Sequence, residues 1–180
     1  MENIQRVWSM PNSRTFTIPP IKEWIDKSLY GAGEKILWNA PGVDPFAANS
    51  YVGEDLLYDT ITNDLNPKFD TDFNKDALEF LKMFDDESVS HVIFDPPYSP
   101  RQLKECYDGI GQSLTDAKTS VWSKWKDEIA RITMPGGFVL SFGWNSVGMG
   151  INRGFQMQDI LMVCHGSMHN DTICTKERKL

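Results

Sequence analysis

The run His91-Val92-Ile93-Phe94 stops on Asp95-Pro96-Pro97-Tyr98, and no helix continues through two adjacent prolines. Each proline fixes φ at about −65°, removes a backbone donor and pushes the residue before it towards extended geometry. The run is therefore read as a strand. Its side chains do not alternate with polar ones, which suits a parallel strand covered on both faces rather than one with a wet side.

Similar punctuation recurs along the chain. Pro19-Pro20 opens a helix over 18–30, with Ile21, Trp24, Ile25 and Leu29 at helical spacing and Gly31 and Gly33 to end it. A short apolar approach, 36–43, leads to Asp44-Pro45-Phe46, and a β-rich stretch, 58–63, stops at Asp64. Helices are predicted over 76–84, 100–114 and 119–134, the last with Val121, Trp125, Ile129 and Ile132 on one side. Pro135-Gly136-Gly137 is read as its end and Phe138–Phe142 as a second buried strand. Segments 155–164 and 171–175 are read as a closing antiparallel pair. Strand–helix alternation of this kind implies an α/β fold, a mostly parallel sheet with helices on both faces and an antiparallel C-terminal strand. In such sheets ligands bind beyond the carboxyl ends of the strands. Asp44, Asp64 and Asp95 each follow a strand, so they should gather on one edge.

With 180 residues, 41% of them hydrophobic and 24% charged, the chain has globular proportions and is read as a single domain over 1–180. No apolar run approaches a membrane span and the first residues lack a secretory apolar stretch. Three cysteines (Cys106, Cys164, Cys174) do not make a disulfide framework, and a reducing cytoplasm is the expected home. The net charge is −7, but residues 51–90 hold eleven acids against three lysines, so the remainder is close to neutral. Charge neither favours nor excludes a nucleic-acid partner.

The Asp-Pro-Pro-Tyr turn carries the chemistry. It presents the Asp95 carboxylate and the Pro96 carbonyl as two rigid acceptors, with the flat face of Tyr98 beside them. Two acceptors suit an amino group with two hydrogens, and the aromatic face suits a planar ring that bears it. Hydrogen bonding both hydrogens would free the nitrogen lone pair and stabilise positive charge developing there.

This tetrapeptide resembles the catalytic motif of S-adenosylmethionine-dependent amino-methyltransferases of DNA, the aspartate-first form being commoner among the adenine N6 enzymes. Asp44-Pro45-Phe46-Ala47-Ala48-Asn49-Ser50 resembles the family's cofactor loop. Asn63-Asp64-Leu65 resembles the strand end whose acid binds the ribose hydroxyls, and Asp64 follows Asp44 by twenty residues, the spacing of such an acid. Asp76-Ala77 resembles the position that contacts the cofactor adenine, and Phe16 and Thr17 lie in a segment resembling the N-terminal element beside the methionine end. The pattern runs from about residue 12 to 176. The resemblance implies a Rossmann-like methyltransferase fold. Asp95, Pro96, Pro97 and Tyr98 would be catalytic, and Phe16, Thr17, Asp44, Pro45, Phe46, Ala47, Ser50, Asn63, Asp64, Leu65, Asp76, Ala77 and Asp95 would bind S-adenosyl-L-methionine and, after transfer, S-adenosyl-L-homocysteine. Ala48 and Ser50 stand where the family usually has glycine, and a Cβ there narrows the approach to the cofactor.

The family's separate target-recognition region has no room here. Compact phage or mobile-element enzymes share that economy, and a homodimer or a partner subunit is the expected remedy. A flipped base costs a few kcal/mol to extrude. Lys118, Trp122 and Lys124 are weak candidates for nucleic-acid contact, and 142–146 is a candidate base pocket or simply a tight loop. An RNA base or protein amine acceptor, or a non-catalytic cofactor-binding subunit, are the alternatives. Cys164, His165, His169 and Cys174 have irregular spacing, and no metal is expected.

Overall fold

The computed structural model describes residues 3–12, 14–30, 40–48, 60–111, 120–166 and 168–180. Among them are strands β1 (Asn3–Trp8), β2 (Gly42–Asp44), β3 (Thr60–Thr62), β4 (Val89–Phe94), β5 (Thr133–Gly143), β6 (Phe155–Cys164) and β7 (Thr172–Lys179). They form one sheet in the order β1-β6-β7-β5-β4-β2-β3. Every neighbouring pair is parallel except the two made by β7, which is antiparallel to both β5 and β6. Helices α1 (Pro19–Tyr30), α2 (Ala77–Leu81), α3 (Pro100–Gly109) and α4 (Ser120–Ile132) cover the two faces.

Strand β4 explains the layering. All six of its residues are buried, and successive side chains point to opposite faces. Ile93 joins Ile21, Trp24, Ile25 and Leu29 of α1 in one apolar layer, together with Leu140 and Phe142 of β5. Val92 and Phe94 join Phe80, Leu81, Leu103, Trp125, Ile129 and Ile132 from α2, α3 and α4 in the other. Each such side chain contributes about 1.5–3 kcal/mol on burial. Trp24 also donates its indole N–H to Asp159 Oδ2 at 2.8 Å, pinning α1 to β6.

Five local differences from the sequence reading have physical causes. The helix expected over 100–114 ends at Gly109, where Ile110 N–H turns back to the Tyr107 carbonyl and Gly111 takes a positive φ of 73°. The helix expected over 76–84 is α-helical only to Leu81. Beyond it, Met83 N–H donates to the Phe80 carbonyl and Phe84 N–H to that of Leu81, so the chain tightens into three-residue turns. Pro135-Gly136-Gly137 does not separate α4 from β5. The strand starts at Thr133, and its pairing with β4 jumps from Val89↔Thr133 to His91↔Phe138, so the proline and glycines form a bulge inside it. Gly136 takes a positive φ of 77° there. The last strand is longer than expected, because Lys176–Lys179 continue the pairing with β6. Finally, β1 was not legible: it is an edge strand with Ile4 and Trp8 exposed, so no apolar face marks it. The apolar approach at 36–39 and residues 58 and 59 lie outside the described residues. Among the described residues no helix is long and apolar enough to cross a membrane.

Candidate active site

The parallel strands β2, β3 and β4 all end on one edge, and the three aspartates lie along it, Asp64 and Asp95 reaching a shared cavity and Asp44 buried behind it. Asp44 closes β2 and is fully buried, with Oδ1 accepting the Phe46 N–H at 3.0 Å. Asp64 follows β3, and its carboxylate accepts from Ala48 N–H at 3.0 Å and Asn66 N–H at 2.7 Å. Asp95 follows β4. Asp64 and Asp95 line a cavity of about 600 Å³, within the range typical of small-molecule sites. Pro45, Phe46, Ala48, Leu65 and Ala77 line it as well.

The loop after β2 is held by its neighbour. Ala47 N–H donates to the Asn63 carbonyl at 2.9 Å, and Asn63 N–H to that of Asp44 at 2.8 Å. The buried Asn63 amide donates to the Pro45 and Lys75 carbonyls and accepts from Lys75 N–H, tying the loop to the segment before α2. Ala48 adopts φ 47°, a left-handed conformation that favours glycine. The residue that departs from the family's glycine therefore occupies a glycine-like backbone position.

Other candidates are placed differently from one another. Phe16 is buried in the apolar core against Phe142, ring centroids 4.9 Å apart. Thr17 is exposed and donates its hydroxyl to the Arg14 carbonyl. Thr15, just before Phe16, lines the cavity. Ala47 is buried beneath the loop. Asp76 caps α2, accepting from Leu78 N–H at 2.9 Å, while its other oxygen accepts the Tyr107 hydroxyl at 2.5 Å. Ser50 and Lys118 lie outside the described residues. Sequence reasoning did not single out Thr15, Gln102, Cys106, Tyr107 or Trp125 as cavity walls. The last four have a weak signal: they occupy one side of helices that follow the motif.

A second cavity, about 360 Å³, shares Pro96, Pro97 and Tyr98 with the first. Phe142, Gly143, Trp144 and Asn145 from the end of β5 line it, as do Trp122 and Lys126 of α4. Trp144 stands edge-on to Tyr98, 5.6 Å between centroids at 71°. The floor of this cavity is anchored: Lys126 donates to the Gly148 carbonyl, and the buried Glu177 accepts from Met149 N–H and Gly150 N–H. Trp122, a nucleic-acid candidate by sequence, donates its indole N–H to the Pro97 carbonyl at 2.9 Å. Lys124 is exposed.

Where the cavities meet, the Tyr98 hydroxyl donates to Asp95 Oδ1. Burial pushes the Asp95 carboxyl up to about 6, against the opposing pull of hydrogen bonds from Tyr98 and Thr15. Burial and the neighbouring Asp95 raise the Tyr98 phenol. Burial also raises Asp64, opposed by the amides of Asn66 and Ala48. The arrangement can hold a planar, amine-bearing group against an acceptor-rich turn on one side and a second ligand on the other.

At the C-terminal strand pair, His165 has both ring nitrogens engaged, one with the Ser9 carbonyl and one with the Thr172 hydroxyl. Cys174 is buried and His169 exposed.

The sequence matches no family model and no curated protein. Solved structures resemble the fold. HI0767 of Haemophilus influenzae, named as a methylase, gives a TM-score of 0.56 at 11% identity, over 90% of this chain and 98% of that one. NodS, an N-methyltransferase of Bradyrhizobium japonicum WM9 in complex with S-adenosyl-L-homocysteine, gives 0.55 at 11%, over 88% and 84%. TrmN from Thermus thermophilus gives 0.55 at 16%, over 93% of this chain but 50% of its own. At such identities the likeness shows the fold. This chain has the Rossmann-like methyltransferase fold, with two cavities meeting at the Asp95–Tyr98 turn.

Proposed function

We propose that the protein is a methyltransferase that moves the methyl group of S-adenosyl-L-methionine to the exocyclic N6 amine of adenine in DNA. The observation that carries this reading is the position of Asp95-Pro96-Pro97-Tyr98 between two cavities, one on each side of the turn.

The larger cavity fits the cofactor. Its described lining includes three carboxylates, Asp64, Asp95 and Glu105, and no lysine or arginine. That suits a cationic sulfonium ligand and not a nucleotide phosphate. Asp64 would hold the ribose hydroxyls, and the faces of Phe46, Leu65 and Ala77 would take the adenine. When bound, S-adenosylmethionine supplies a methyl group already activated for attack by an amine. The methyltransferase fold and the S-adenosyl-L-homocysteine bound in NodS support this cofactor.

The protein's own residues do the rest. Asp95 and the Pro96 carbonyl accept the two amine hydrogens, which requires the amine to replace the Tyr98 hydroxyl at Asp95. The Tyr98 ring then supports the acceptor base, with Trp144 edge-on beside it. As positive charge grows on the nitrogen, the Asp95 carboxylate stabilises it, and a buried carboxylate does so more strongly than an exposed one. Basic side chains near the smaller cavity are partly committed, Lys126 to Gly148 and Arg153 to Asp127. On this proposal a second copy or a partner subunit supplies recognition of the polymer.

Two results are expected. Asp64→Ala weakens S-adenosylmethionine binding by about tenfold or more in calorimetry, the loss of charge-assisted hydrogen bonds. The pH–rate profile has an acid limb near 6. Below that pH Asp95 is protonated and loses acceptor capacity, and the rate rises with pH to a plateau as the carboxylate forms. A limb that persists in Asp95→Asn would mean that another acid controls the rate. The substrate is tested by tritiated methyl transfer to duplex DNA, denatured DNA and RNA side by side. Label in DNA supports the proposal, and label confined to RNA replaces its substrate.

A further inference from the structure

Within the Asp95–Tyr98 turn the Tyr98 hydroxyl donates to Asp95 Oδ1, but Pro96 and Pro97 have no N–H to donate, so their backbone is held from outside. One of its ties is local to α3. Tyr98 N–H donates to Gln102 Oε1 at 2.7 Å, and the Ser99 hydroxyl accepts from Gln102 N–H at 3.2 Å. Two ties come from distant elements: Thr15 hydrogen-bonds the Asp95 carboxylate, and the indole of Trp122 on α4 reaches the Pro97 carbonyl at 2.9 Å across 25 residues of sequence.

The Trp122 ring is itself fixed. It packs against Trp125 at 5.7 Å and 67°, and Trp125 packs against Phe46 at 4.8 Å and 68°. Phe46 in turn meets Phe94 at 5.9 Å. Phe94 is the residue before Asp95, so the row of rings leaves the catalytic strand, passes through the cofactor-side loop and α4, and returns to the turn. Phe46 and Trp125 wall the larger cavity and Trp122 the smaller one. The row therefore runs between the two sites and closes on a single N–H.

We propose that Trp122 is a positioning residue: its indole N–H holds the Pro97 carbonyl and thereby sets the Asp95 carboxylate and the Pro96 carbonyl in register with both cavities. Its catalytic consequence rests on the amine-methyltransferase reading; its geometric content does not. A misplacement of about 1 Å in reacting groups costs up to about a hundredfold in rate, so a small shift of this turn is felt in kcat before it is felt in binding.

The test is Trp122→Phe, which keeps an aromatic ring against Trp125 and removes the N–H. In the cofactor-free protein, amide hydrogen exchange of segment 95–102 should accelerate while the strands keep wild-type protection. In the methyl-transfer assay kcat should fall about tenfold, equivalent to about 1.4 kcal/mol, with the calorimetric affinity for S-adenosylmethionine unchanged. Wild-type exchange in 95–102 together with wild-type kcat overturns the proposal. A fall in melting temperature and in cofactor affinity together also overturns it, since Trp122 would then be a general packing residue. If the wild-type protein methylates no acceptor, the proposed function fails, while the exchange measurement still decides whether Trp122 holds the turn.

Discussion

Asp95→Ala lowers methyl transfer by about a thousandfold while S-adenosylmethionine binding is weakened but survives. The magnitude follows from what the side chain does on this reading. It is one of two fixed acceptors for the amine and the negative charge beside the nitrogen as that nitrogen becomes positive. Removal of a single preorganised group of this kind costs about 10²–10³ in kcat, and a full charge in a buried site lies at the upper end. Asp95→Asn separates the two contributions, because the amide keeps one acceptor oxygen and loses the charge. It should fall between wild type and alanine. Cofactor affinity is measured alongside, and it should fall far less than turnover, since Asp64 and the loop at 45–48 remain in place. Turnover by purified Asp95→Ala at the wild-type rate would remove Asp95 from the chemistry.

Gly42→Ala is expected to destabilise the fold by about 3 kcal/mol or more, which is overpacking at its upper range. Gly42 lies opposite His91 in the β2–β4 pairing. A Cβ on Gly42 would stand 2.1 Å from His91 Nε2 and 2.2 Å from Cε1. The imidazole has little freedom to yield. It is stacked on Phe138 at 5.5 Å and 14°, and its Nδ1 pairs with the Ser90 hydroxyl at 3.0 Å. Burial lowers its pKa to about 4, so the ring is neutral at pH 7 and no charged form offers a route to solvent. Since β2 and β4 carry the cofactor-side loop and the catalytic turn, the loss should appear as a lowered urea midpoint and as weaker cofactor binding. Against a typical total stability of about 5–15 kcal/mol, such a loss is easily measured. A midpoint equal to that of wild type would show that the strands separate freely there.

The parts of this molecule legible in the sequence are those fixed by local rules. Pro96-Pro97 after an apolar run names a strand end without any knowledge of the rest of the chain. The spacing of Ile21, Trp24, Ile25 and Leu29 names the buried face of α1, and all four are buried. The convergence of Asp64 and Asp95 on one cavity follows from parallel strands ending on one edge. What was not legible depends on contacts between distant residues or on a shift of one or two positions. In Thr15-Phe16-Thr17, a single 3-10 turn decides which threonine faces the cavity, and the residue types cannot distinguish them. Trp122 and Trp125 lie three residues apart on α4, yet one ties the turn and the other fills the core. Asp76 was more readable than its use suggests: an aspartate three residues before Glu79, at the start of an apolar stretch, is a helix-capping pattern, and capping is what it does. Strand β1 gave no pattern because an edge strand with exposed Ile4 and Trp8 has no buried face to mark it.

The central claim is that the turn between the two cavities delivers an exocyclic amine to the activated methyl group. It is tested most directly by identifying the methylated nucleoside after transfer from labelled S-adenosylmethionine to mixed-sequence DNA. Label in N6-methyldeoxyadenosine is the predicted result. Label on a ring carbon or ring nitrogen, or no label from a protein that binds the cofactor in calorimetry, would contradict it.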